Sequence, residues 1–168
     1  MFEIPQETLA YWARRGYQPA TEAEIAEASA VWGAPPPDDY RDFLRQFGFV
    51  NWDVDTPDTF DYRIREGGNL VEREQSITHV QNLEGLRRMR KFGWSDEPDN
   101  GLPVAPEHMF PAAETAGHDL ILLDLNDGSV WFLPEGREDP WGTGDNTELG
   151  RVADSFTAFV NGLRLGEE

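Results

Sequence analysis

The chain has 168 residues, 39% hydrophobic and 12% aromatic, with six Trp and ten Phe; this length suits one domain with a full core, and this aromatic mass excludes a disordered chain. Cys is absent, which excludes disulfides, zinc-thiolate sites, iron–sulfur clusters and thiol nucleophiles. The 32 acidic and 14 basic residues give a net charge of −18, a field that repels nucleic acid and anionic membrane surfaces and attracts a basic partner.

A first helix is predicted over Gln6–Arg15, with Leu9 and Trp12 on one face and Gly16 as its stop. Thr21-Glu22-Ala23-Glu24 has capping-box spacing and opens a second helix, where Ile25, Ala28 and Trp32 share a face and Gly33 ends the run. After Pro35-Pro36-Pro37, Asp38 or Asp39 starts a third helix. Its Tyr40, Phe43, Leu44 and Phe47 fall at core-facing spacing before Gly48. Residues 51–62, rich in Asp and without a base, read as a surface loop or an irregular strand pair. Weak alternation predicts a strand over Val71–Val80, and Asn82 then caps a short helix carrying Leu83, Leu86 and a basic C-terminal end. Residues 93–101 read as loop.

Leu120-Ile121-Leu122-Leu123, then Asn126-Asp127-Gly128, then Val130-Trp131-Phe132-Leu133 specify a β-hairpin. A long loop from Pro134 to Gly150 follows. Asp154-Ser155 then caps a final helix with Phe156, Phe159, Val160 and Leu163, ended by Gly166. The expected class is α+β, a single domain over 1–168 with a mainly antiparallel twisted sheet, helices packed around it and an extra N-terminal helix at about 6–15.

Catalytic motifs are missing. No Gly-x-Ser-x-Gly or phosphate-binding loop occurs, and Ser155 reads as a helix cap. His79, His108 and His118 lack metal-ligand spacing. Asp124 and Glu135 stand at the first and twelfth positions of a calcium loop, but Ser129–Leu133 would have to abandon its strand, so the hairpin reading is preferred. The paired carboxylates Asp53 and Asp55, Glu72 and Glu74, and Glu138 and Asp139 read as solvated faces. Neither a catalytic residue nor a cofactor is therefore expected. Most aromatics fall at core periodicity, whereas Trp52, Trp94 and Trp141 lie in polar loops.

Three segments resemble the SUKH superfamily. Ala34-Pro35-Pro36-Pro37-Asp38-Asp39-Tyr40-Arg41-Asp42-Phe43-Leu44 resembles its small-Leu-Pro-x-Asp-Tyr-x-x-Phe-Leu helix opening, with Pro36 where Leu is usual. Gly117-His118-Asp119 and the strands after it resemble its Gly-Asp hairpin, and Ser155-Phe156-Thr157-Ala158-Phe159 its closing helix. The resemblance runs from about Thr21 to Leu165. It implies a non-enzymatic α+β binder, since members are mostly bacterial immunity proteins that neutralise secreted or contact-delivered toxins; a regulatory or scaffold protein of the same fold is the alternative.

The acidity is uneven. Residues 1–91 carry 16 acidic and 11 basic residues, and residues 92–168 carry 16 and 3. A basic toxin domain is thus the expected partner, with no nucleic acid or membrane, although acidity with arginine as nearly the sole base also fits a GC-rich or salt-adapted host. The N-terminus lacks signal-peptide character and no apolar run reaches about 18 residues, so a cytoplasmic location is expected. The interface is expected on the loop from Pro134 to Gly150, where Glu135, Glu138, Asp139, Asp145 and Glu148 surround Trp141. Trp141 either fills a pocket on the partner or folds back onto the sheet as an anchor.

Overall fold

The structure, a computed structural model, describes residues 1–52, 58–92, 106–134 and 136–164. Three helices come first: α1 Gln6–Arg15, α2 Glu22–Trp32 and α3 Asp38–Phe47. Gly16 and Gly33 end α1 and α2 in the left-handed conformation. The capping box of α2 is complete: Thr21 Oγ1 accepts from the Glu24 N–H at 3.2 Å, and the Thr21 N–H donates to Glu24 at 2.7 Å. Gly48 ends α3 with φ of 79°, and a Cβ there would run into the Gln18 carbonyl oxygen, so the linker between α1 and α2 can close onto the end of α3 only over a glycine.

Six antiparallel strands follow, β1 Thr59–Glu66, β2 Asn69–Val80, β3 Met109–Thr115, β4 Leu120–Asp124, β5 Val130–Leu133 and β6 Gly150–Ala153. They close into a barrel in chain order, with Arg63 registered opposite Arg151 where β1 meets β6. Helix α4, Leu83–Phe92, lies between β2 and β3, and α5, Phe156–Asn161, follows β6. Polar tips of core aromatics tie helices to the sheet: Trp32 Nε1 donates to the Met109 carbonyl at 2.7 Å and Tyr40 Oη to that of Ala112 at 3.2 Å. Asp39 on α3 accepts from the Thr157 N–H at 2.8 Å, so α3 helps to cap α5. Trp52 is 1% exposed, stacked on Phe43 with centroids 5.8 Å apart.

The architecture is α+β, as the patterning predicts, and the β4–β5 hairpin, Asn82 cap and Ser155 cap are all present. Four details differ from the sequence reading. Residues 59–62 belong to a strand running to Glu66, which turns through Gly67-Gly68, both at positive φ, into β2. Residues 59–65 alternate, with Phe60 and Ile64 buried and Asp61, Arg63 and Arg65 exposed, but the Asp-rich sequence before them obscures that period. β3 is unmarked in the sequence because Pro111 and Glu114 interrupt its apolar run, yet all seven residues are buried. β6 is only four residues long. Helix α5 ends at Asn161 with Gly162 as its cap, short of Leu163, because the chain turns there so that Arg164 can bridge to Thr59 of β1. The segment 93–101, Trp94, Asp53, Asp55, Glu135 and Gly166 lie outside the described residues.

Candidate partner-binding surface

The connection between β5 and β6 is long, and its own short-range hydrogen bonds shape it. Asp139 accepts from the Gly142 N–H at 3.1 Å, the Gly144 N–H donates to the Trp141 carbonyl at 2.7 Å, and Asp145 accepts from Thr147 N–H at 3.2 Å and Oγ1 at 2.8 Å. The Thr147 hydroxyl, followed by its N–H, holds the Asp145 carboxyl below its ordinary range. Asp145 is therefore a fixed charge on an exposed turn.

Two anchors fasten this loop to the barrel. Asn146 is buried in the left-handed conformation with φ of 63°; its Nδ2 donates to Asp124 at 2.8 Å while its Oδ1 accepts from His108 Nε2 at 3.2 Å. Asp124, an outlying candidate for calcium in the sequence, is thus engaged by Asn146 and by the Asn126 N–H, at 2.9 Å. Arg137 donates to the Arg65 carbonyl of β1 at 3.0 Å and lies 3.4 Å from Glu148. Between the anchors, Trp141 is half-buried and packs against the core. Glu138, Asp139 and Asp145 are exposed and Glu148 is half-buried. The chain thus gathers these residues into one fastened loop with Trp141 among them; Glu135 is not described.

A second polar cluster escaped the sequence reading because its members are brought together by strand pairing. Glu114 on β3 is 7% exposed and meets His79 Nε2 of β2 at 3.4 Å, His118 Nδ1 at 2.8 Å and Gln81 Nε2 at 3.0 Å. Burial alone would raise its pKa; the hydrogen bonds from His79 and His118, the charge of His79 and the Gln81 bond prevail and bring it down to about 2. His118 occupies the β3–β4 turn, at φ of 65°. Among the described residues no group of three or more His, Asp or Glu is arranged to hold a metal ion, and no helix is long and apolar enough to cross a membrane.

Most arginines are engaged at the surface by carboxylates. Arg45 pairs with Glu22 and Asp42, Arg73 with Glu66, Arg87 with Glu27, and Arg164 with Asp61 and Glu74. Such exposed pairs stabilise little, but they neutralise the scarce bases and leave the acidic surplus, much of it in the second half of the chain, to set the field. Residues 19–162 match the model of the SMI1/KNR4 family (SUKH-1). Comparison with curated proteins gave no match.

Proposed function

Because the chain belongs to the SMI1/KNR4 family (SUKH-1), we propose that it is an immunity protein that neutralises a cognate toxin domain by binding it directly, without catalysis of its own. The observation that carries this reading is the family match over residues 19–162, since SUKH is an immunity-protein family. The charge supports a basic toxin: a net −18 field can steer an oppositely charged partner to association rates of about 10⁸–10⁹ M⁻¹s⁻¹ at low salt. Fast capture suits an inhibitor of a catalytic toxin, because each uncaptured molecule keeps turning over.

The loop between β5 and β6 supplies the contact surface in this reading. Its two anchors limit the ordering cost on binding, the exposed carboxylates of Glu138, Asp139 and Asp145 provide the charged rim, and half-buried Trp141 provides the apolar centre. The test is capture of the product of the neighbouring reading frame by the tagged chain, with toxicity scored on co-expression. Capture together with relief of toxicity is the expected result. A neighbouring product that is not a toxin, with no capture, would overturn the reading in favour of a regulatory or scaffold role.

A further inference from the structure

The barrel wall is incomplete between Thr59 and Arg63. Thr59 exchanges both backbone hydrogen bonds with Arg164, at 2.7 and 2.9 Å, and the register of β1 against β6 is the single pair Arg63 and Arg151. Strand alternation turns the N–H and C=O of Asp61, midway between them, toward the same edge. A groove of about 450 Å³ opens there, walled by Asp61, Tyr62, Arg63 and Glu72 on one side and by Arg151, Asp154 and Ala158 on the other.

Its charges are mixed, with Arg63 and Arg151 set among the carboxylates of Asp61, Glu72 and Asp154. Arg63 and Arg151 are direct cross-strand neighbours, and like charges so placed repel. Nearby carboxylates hold them weakly. Glu72 lies 3.8 Å from Arg63 with both side chains more than half exposed, and Asp154, which meets Arg151 at 2.7 Å, is 95% exposed. Asp61 is turned away to Arg164, at 2.6 and 2.8 Å. The Arg151 guanidinium lies 4.9 Å over the Trp131 ring, which orients it. A carboxylate between the two guanidiniums would relieve their repulsion and match their donor geometry.

We propose that the Arg63–Arg151 pair is a carboxylate-binding subsite, filled by an acidic side chain of the protein partner. This deepens the immunity reading and rests on it for the partner. An acidic field draws in any basic protein and sets no register; one acidic side chain that must meet this pair fixes the docking position and rejects basic proteins that lack it.

The probe is a capped pentapeptide, acetyl-Ala-Val-Glu-Val-Ala-amide, titrated into the ¹⁵N-labelled full chain beside its Gln counterpart and inorganic phosphate. The expected result is millimolar binding of the Glu peptide, with shifts confined to Asp61–Arg63, Arg151–Asp154 and the Trp131 indole, weakened about tenfold by Arg63→Gln or Arg151→Gln. Both arginines are surface residues, and matching melting temperatures verify that the variants fold. Equal shifts with the Gln peptide, no shifts at all, or phosphate binding as well as the Glu peptide would each overturn the subsite. The two readings fail separately. Capture of the neighbouring toxin that is indifferent to both substitutions removes the subsite and leaves the immunity function, whereas peptide binding without capture of any neighbouring toxin does the reverse.

Discussion

Replacing Glu114 by Gln tests the buried cluster between β2 and the β3–β4 turn, and its signature is a dependence on pH. Against the burial that would raise it, the hydrogen bonds from His79 and His118 hold the Glu114 carboxyl down to about 2, from an ordinary glutamate value of 4.5. A carboxyl with a depressed folded pKa contributes stability that is complete above its unfolded pKa and disappears as the pH falls through the folded one. The window therefore runs from about pH 4.5 down to about 2. The full depression corresponds to about 3 kcal/mol, but the His118 side chain is 85% exposed and its share is screened. The wild type should thus exceed Glu114→Gln by a margin that shrinks by about 1–3 kcal/mol between pH 5 and pH 2. Urea unfolding of both proteins across that range, followed by Trp fluorescence, measures the margin, and comparison with the variant cancels the other carboxylates. A margin that stays constant over this range refutes the reasoning, because an uncharged hydrogen-bonding role would give the same offset at every pH.

The remaining expectations concern the β5–β6 loop, the end of α3 and the dependence of binding on salt. Asn146→Ala removes bonds to Asp124 and His108 at a left-handed position and should lower the melting temperature by about 5–10 °C, with Asn146→Gly, which tolerates that backbone, losing less. Trp141→Phe should keep most of the melting temperature while weakening toxin binding by about tenfold, whereas Trp141→Ala should lower both; calorimetry of melting and of binding separates the two effects. Gly48→Ala places a Cβ against the Gln18 carbonyl at φ of 79° and should cost about 2 kcal/mol or more in chemical unfolding. Raising the ionic strength should slow association of toxin and chain; a flat profile in stopped-flow would assign the acidity to the host.

Local chemistry was the legible part of the fold. Thr21 and Glu24, Asn82, Ser155 and Asn126-Asp127-Gly128 each act within a few residues of themselves, so their spacing predicts the structure they form. Whatever depends on distant partners was hidden. β3 is buried throughout although it contains Pro111 and Glu114, because His79 of β2 and Gln81 just after that strand compensate the carboxylate. Glu66 of β1 and Arg73 of β2 put charge on the face of Phe60 and Ile64 and pair there across the ribbon, which leaves the alternation over Val71–Val80 weak. Trp52 lies in a polar stretch of sequence but packs on Phe43, 5.8 Å away, a contact that only the helix arrangement creates. In the candidate site, composition marks the acidic loop and its tryptophan. The anchors at Asn146 and Arg137 reach to Asp124, His108 and the Arg65 carbonyl, and the Arg63–Arg151 pair exists only through barrel closure.

The central claim is neutralisation by direct binding, and isothermal titration of this chain into the purified toxin domain of the neighbouring reading frame tests it most directly. The account predicts saturable one-to-one binding with a Kd in the nanomolar range or tighter, about −12 kcal/mol, and toxin activity that falls in step with occupancy. Absence of binding heat over a range of temperatures, or saturation that leaves the toxin fully active, would contradict it.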